Sequence, residues 1–331
     1  MMSKLKFAGR AKHVVAAAWV SLLLAGCGGG TQVEKFVPTR LLAFGDETSA
    51  LDESGGYTAN GRKYTVNGLG ADGVTLDCRV NPNWVQYLGA LWGLVFPQCN
   101  PAGGAATSRI YATAGAKVAD IAAQITAAGS MGSKDLTTVL VGANDLFDLY
   151  VASPNAANTG AAQTLAIQLA AQIARIVKTG AKVVFVTVPD LGQTPYARQE
   201  NAAHPGENRA AVLTALTAKF NAQLRTAISN ADSPSFVDGH QGVQVLADEL
   251  FQAVVTQATT APSAAAYLNV ITPLCTTALA IDCTSSTLDP AATAVGGTAY
   301  NYLWADAKHL SPGGHATLGN TARIRTVANP L

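Results

Sequence analysis

Asp306 and His309, in "WADAKHLSPGGH" (304–315), stand three residues apart near the C-terminal end of the chain. At that spacing a carboxylate can hold one imidazole nitrogen while the other faces a substrate, which is how a general base keeps a fixed tautomer and orientation. Three more segments supply what such a base would work with. "FGDE" (44–47) puts Glu47 where an apolar run breaks into a turn, "YATAGAKVAD" (111–120) puts Gly115 at a loop-to-helix junction, and "VGAND" (141–145) puts Asn144 at the end of another apolar run. Attack on a carbonyl builds negative charge on oxygen and calls for fixed hydrogen-bond donors aimed at it. Gly115 can bring a bare backbone N–H close because no Cβ intervenes. Asn144 can offer a side-chain amide. The N–H of residue 47, at a helix start, is a third donor that does not depend on its side chain. The set reads as acyl or ester chemistry, with Glu47 at the point of attack.

Something must hold these groups at one place. "RLLAFGD" (40–46), "TTVLVGAND" (137–145) and "AKVVFVTVPD" (181–190) read as buried strands, with "SFVDG" (235–239) as a short fourth. Helical spacing runs through 83–94, 118–129, 161–180, 207–230, 241–256 and 311–329, the last opened by Ser311 and Pro312 as cap and first helical residue. Residues 257–300 are rich in Thr, Ala and Ser and read as a long surface excursion. Apolar strands alternating with helices of this length imply a parallel sheet with right-handed crossovers, covered on both faces. In such a sheet the site lies beyond the carboxyl ends of the strands, where Glu47, Asn144 and Asp190 all fall.

The four blocks in this order resemble the GDSL lipases, also called SGNH hydrolases. "VPDLGQTP" (188–195), "FNAQL" (220–224) and the Trp of "NPNWVQYL" (81–88) are similar to the secreted lecithinase-like branch of that family. The resemblance covers roughly residues 40–325. It implies a three-layer α/β/α sandwich with a small parallel sheet, an ester, lipid or acyl substrate, Gly115 and Asn144 in the oxyanion hole, and His309 as general base with Asp306 holding its tautomer and orientation. His315 matches a second family histidine and is read as structural. Asp190, Tyr196 and Trp304 are candidates for the pocket wall, though packing accounts for them equally well. His204 and His240 carry no partner signal and are expected to face solvent.

The departure from the family pattern falls on the nucleophile, since Gly-Asp-Ser is here Gly45-Asp46-Glu47. Ser49 is a poor substitute: at about 100° per helical residue it points about 200° away from position 47. A covalent acyl-glutamate is disfavoured because carboxylate, with a pKa near ~4.3, leaves the addition intermediate more readily than alkoxide does. Two readings remain. Glu47 or His309 activates water and the chain hydrolyses esters, or Glu47 pairs with a charged His309 and the chain is an inactive member that binds an acyl or glycan ligand.

The first residues bear on compartment. Lys4, Lys6, Arg10 and Lys12 precede "VVAAAWVSLLLAG", a run with the length of a secretory h-region and too short to span a bilayer. "LLAGC" resembles the bacterial lipobox, which implies a leader over 1–26, lipidation of Cys27, a tether over 27–38, one domain over 39–331, and export to the outer membrane of a Gram-negative cell. Without the leader's four basic residues the chain has 18 basic and 21 acidic residues, a net charge of −3. No basic patch suggests a nucleic-acid partner. Cys78, Cys99, Cys275 and Cys283 are an even set in an exported chain and argue for two disulfides; pairing nearest neighbours closes the shortest loops and is the expected pattern. No Cys-x-x-Cys pair exists and the histidines are scattered, so neither metal nor cofactor is expected.

Overall fold

The computed structural model describes residues 35–329 and Leu331. The expected leader, Cys27 and most of the tether lie outside the described residues. Five parallel strands make the main sheet: β1 (Arg40–Gly45), β2 (Arg109–Ile110), β3 (Asp135–Leu140), β4 (Lys182–Val186) and β5 (Gly242–Val245), in the order β2-β1-β3-β4-β5. β1 and β3 pair from Arg40 opposite Asp135 to Gly45 opposite Leu140, so both strands end at the same edge.

Side chains alternate across this sheet with the period of two that a strand imposes. Leu42, Phe44, Val139, Val183 and Phe185 enter one buried cluster, and Leu41, Ala43, Leu136, Val184 and Val186 enter another. On the first face lie α2 (Ile121–Ala128), α3 (Ala143–Ala152), α4 (Thr159–Val177) and α6 (Arg209–Ser229), bringing Ile125, Leu146, Ile173 and Phe220. On the second lie α1 (Trp84–Ala90), α7 (Ala247–Thr260) and α9 (Pro312–Ala328), bringing Trp84, Leu88, Phe251 and Leu318. The short α5 (Pro195–Ala203) links β4 to α6. This is the expected α/β/α sandwich around a small parallel sheet.

Two sequence expectations are corrected. "SFVDG" is not a strand; β5 is Gly242–Val245, and the helix expected from residue 241 starts at Ala247. Val237 is buried in the first cluster, and its N–H donates to the Ile228 carbonyl at the end of α6, so the segment is spent on closing that helix. Nor are residues 257–300 purely a surface excursion. They contain β6 (Asn269–Pro273), which pairs in parallel with β7 (Tyr302–Trp304), and α8 (Pro290–Ala294). Leu274, Cys275, Ala280, Cys283 and Ala292 from this stretch share a third buried cluster with Val66, Tyr302 and Ala305.

Both disulfides pair nearest neighbours, Cys78 with Cys99 and Cys275 with Cys283, as expected. Loops of these sizes are worth roughly 3 kcal/mol each if the cross-link acts through unfolded-chain entropy. The start of α9 also follows the sequence: the Ser311 hydroxyl accepts from the Gly314 N–H, and Pro312 takes the first helical position.

Candidate active site

β1 ends in a turn that only glycine can make. Gly45 has φ +141°, and a Cβ there would lie 2.0 Å from the Leu140 carbonyl oxygen. Gln124 of α2 clamps the turn, its Oε1 accepting from the Gly45 N–H at 2.8 Å and its Nε2 donating to the Gly45 carbonyl at 2.9 Å. Asp46 follows and is 1% exposed. Its Oδ1 accepts from the Thr48 N–H, yet burial, together with the neighbouring Glu47 charge, pushes its carboxyl far above the usual carboxylate range, up to about 8.

Glu47 comes next, and the groups expected to form an oxyanion hole converge on its own carboxylate. Oε2 accepts the Gly115 N–H at 2.8 Å and the Asn144 side-chain amide at 2.9 Å. The backbone N–H of Glu47, the third expected donor, also favours the charged carboxylate. Gly115 sits at φ +72°, which suits glycine. Its loop is held by Asp145, which accepts the Val118 N–H at 3.0 Å, and by Asn144, whose amide also donates to the Ala116 carbonyl at 3.1 Å.

Oε1 of Glu47 lies 3.5 Å from His309 Nε2. Nδ1 of the same ring faces Asp306 at 2.7 and 2.9 Å. Asp306 is fixed by the N–H groups of Lys308 and His309 on Oδ1, both at 2.8 Å, and by the Ala280 N–H on Oδ2 at 3.0 Å. Burial disfavours the charged form of His309, but Asp306 and Glu47 outweigh it and raise the imidazole to about 9. Burial likewise opposes charge on Glu47, and the hydrogen bonds from His309 and Asn144 overcome it, holding the carboxyl below its ordinary value. At neutral pH the pair is therefore carboxylate and imidazolium.

The neighbours are mostly committed. Ser49 is fully buried and its hydroxyl accepts the Trp84 indole N–H at 3.0 Å, which leaves it no path to the site. His315 is buried with Nδ1 facing the Trp84 N–H at 3.4 Å, and burial drops it to about 3; it is a neutral packing residue. Asp190 caps a short turn, accepting the Gly192 N–H and the Thr214 hydroxyl. Trp304 donates its indole N–H to the Val270 carbonyl. A small cavity of about 40 Å³ opens at the site, lined by Glu47, Thr48, Phe147, Trp304, Lys308 and His309 among others. Tyr196 stands at the rim, where the Lys308 ammonium lies 4.3 Å from the centre of the Phe147 ring and 4.7 Å from that of Tyr196. His240 is exposed and His204 half-buried at the end of α5. Sequence reasoning missed Gln124, Tyr64, whose ring centre lies 5.6 Å from that of His309, and Ala280.

The fold is an α/β/α sandwich with a crevice at the carboxyl edge of its sheet, where the Glu47 carboxylate meets His309. Over residues 41–321 the chain matches the profile of the GDSL-like lipase/acylhydrolase family, and it belongs to that family. Solved structures similar to it include a member of the lipolytic G-D-S-L family from Veillonella parvula (11% identity, 86% of this chain and 95% of that chain, TM-score 0.39). Others are a variant of Axe2, an acetyl xylan esterase from Geobacillus stearothermophilus (14%, 89% and 98%, TM-score 0.39), and LAE5, an α/β hydrolase from the metagenome of Lake Arreo (13%, 88% and 96%, TM-score 0.41). No curated protein matches the chain. Membership carries the general activity of the family, hydrolysis of ester bonds.

Proposed function

We propose that this chain hydrolyses esters by direct attack of water, with Glu47 as general base and His309 as general acid. The observation that carries the reading is the geometry of the pair: Glu47 Oε1 lies 3.5 Å from His309 Nε2 while Asp306 holds Nδ1, an arrangement that favours the carboxylate and the imidazolium, the forms those two roles require. Glu47 takes one proton from water as the water oxygen bonds to the carbonyl carbon. The oxyanion rests on Gly115 and Asn144. As the carbon–alkoxy bond breaks, the Nε2 proton of His309 passes to the departing alkoxide. The proton on Glu47 returns to His309, and no acyl-enzyme forms. Asp306 keeps the ring oriented and supports its charge.

Substrate entry requires Glu47 to give up the two donors it now holds. Hydrogen bonds to a charged group are worth roughly 1.5–3 kcal/mol each, so vacating the hole takes roughly 3–6 kcal/mol, or about 10²–10⁴ in rate. A slow hydrolase of small acyl esters is the expected behaviour. The same occupancy favours a second reading, in which Glu47 never leaves and the crevice serves as a non-catalytic binding site for an acyl or glycan ligand. Turnover of p-nitrophenyl acetate and butyrate separates the two. Wild-type hydrolysis above the buffer rate that disappears in both Glu47→Gln and His309→Ala supports the first. Hydrolysis equal in all three proteins would remove the base and acid roles.

For location we propose export and anchoring of the mature chain at the outer membrane through lipidated Cys27, on the strength of "LLAGC" and the basic, apolar run before it. Metabolic labelling with a fatty acid should mark the wild type and not Cys27→Ala. Among the described residues no helix is long and apolar enough to cross a membrane.

A further inference from the structure

We infer that the loop closed by Cys275–Cys283 is a positioning device for Asp306, acting through the backbone N–H of Ala280. The inference rests on the role proposed above for Asp306 as the partner of His309. Asp306 draws its other backbone donors, the N–H groups of Lys308 and His309, from its own turn, and both go to Oδ1. Oδ2, the oxygen nearer His309 Nδ1 at 2.7 Å, receives the Ala280 N–H at 3.0 Å. Among the described residues this is the one hydrogen bond to the Asp306 carboxylate from outside residues 306–309. It sets the plane of the carboxyl group from the side that the turn does not reach.

The loop is built to hold that N–H still. Ala280 is fully buried and opens a short 3-10 turn (Ala280–Asp282) that leads directly into Cys283. At its other end the Cys275 N–H donates to the Ala305 carbonyl at 2.8 Å, one residue before Asp306. The disulfide therefore ties the donor loop to the strand exit that carries the acceptor. Asn67 locks it from a third direction. Its N–H donates to the Cys283 carbonyl at 2.8 Å, and its side-chain amide donates to the Ile281 carbonyl at 3.0 Å. Ala280, Cys283, Ala292 and Ala305 pack with Val66, Leu274 and Tyr302 around this loop, and the cross-link adds a covalent constraint to that packing.

The readout is the titration of the His309 ring, followed by NMR. The groups facing that ring are Asp306, Glu47 and Tyr64, with Asp46 behind Glu47 and His315 farther off. Without the cross-link the Ala280 N–H no longer holds the Asp306 carboxylate against Nδ1, and a carboxylate turned away supports the imidazolium less, so His309 should titrate below its wild-type value in Cys275→Ser/Cys283→Ser. It should remain at the wild-type value in Cys78→Ser/Cys99→Ser, which breaks the disulfide remote from Asp306. Ala280→Pro fits a first-turn position preceded by extended backbone, but replaces the N–H with a ring carbon facing Oδ2, so it pushes the Asp306 carboxylate off Nδ1 and should lower the titration with the cross-link intact. Ala280→Gly keeps the N–H and should behave as wild type. Where turnover is measurable, the first cysteine pair and Ala280→Pro should lose roughly tenfold in kcat with KM little changed. The wild type supplies a test that needs no folded variant: the Ala280 amide proton should shift as His309 titrates. An Ala280 amide that stays put, or a folded Cys275→Ser/Cys283→Ser protein with His309 unmoved, overturns the inference. Because the titration is read without substrate, a chain with no esterase activity would sink the proposed function and leave this test standing.

Discussion

The Gly115 amide points at Glu47, 2.8 Å from Oε2. The donor proposed above to stabilise charge on a substrate is engaged by a carboxylate of the chain itself. With Asn144 on the same oxygen and His309 at the other, Glu47 holds the position of a carboxylate product that has not left.

The first prediction is the sense of the pH profile. A serine hydrolase gains activity as its histidine loses a proton. Here the acid must keep its proton, so hydrolysis by the wild type should fall as pH climbs through about 9. Initial rates with p-nitrophenyl acetate, corrected for the buffer reaction, give the profile. A rate that rises through the same range would contradict the assignment.

Glu47→Ser should reverse that profile. The substitution frees both donors and puts a hydroxyl within reach of a histidine that no longer has a carboxylate on Nε2. His309 should drop toward its ordinary value of 6.5, and activity should rise with pH to a plateau. The gain over wild type should be about a hundredfold or more, since the energy spent on vacating the hole is no longer needed.

Stability should carry the signature of the ion pair. Glu47 is depressed in the folded state, so its contribution is present above its unfolded value of 4.5 and is lost as pH falls. His309 is raised, so its contribution is full below 6.5 and is lost as pH rises through about 9. The difference in Tm between wild type and Glu47→Gln should therefore be largest between those two unfolded values and shrink toward pH 9. Thermal melts at unit steps of pH measure it. A difference that does not change with pH would mean that the pair is not ionised.

Asn144→Ala removes a donor that bonds Glu47 at rest and the oxyanion in the transition state, so it should cost the wild type much less than it costs Glu47→Ser, where Glu47→Ser/Asn144→Ala should lose about 10²–10³ in turnover, the scale for a single lost donor in an oxyanion hole. Because the same amide also holds the Ala116 carbonyl, the variant should be checked by circular dichroism before its kinetics are read.

Gly45→Ala should be badly destabilised. A Cβ 2.0 Å from the Leu140 carbonyl must displace the β3 backbone, and φ +141° is itself strained for alanine. A loss on the order of 3 kcal/mol or more is expected, measurable by urea unfolding.

Much of this was legible before any coordinates. The strand ends carrying Glu47 and Asn144 are marked by apolar runs that stop at polar turns, and Ser311-Pro312 announces the last helix. What escaped did so for physical reasons. β5 alternates as a strand should, but over only four residues, too few to stand out from "SFVDG", which is also partly apolar but is used to close α6. Gln124 lies in an alanine-rich helix, where a buried amide leaves no periodic trace. The stretch around Ala280 looks like surface because its buried residues, such as Leu274, Ala280 and Ala292, are scattered among Thr, Ser and Asp, and the rest of their cluster comes from distant Val66, Tyr302 and Ala305 and a disulfide.

The fate of the hydroxyls near position 47 reaches beyond kinetics. Ser49 is buried under an indole, and the side chain that meets His309 is already an anion. Organophosphorus reagents, which mark serine esterases by phosphorylating an activated hydroxyl, find none here. If the proposed reaction holds, a survey of esterases made with such reagents would pass over this chain, and its contribution would be sought in the activity that survives them.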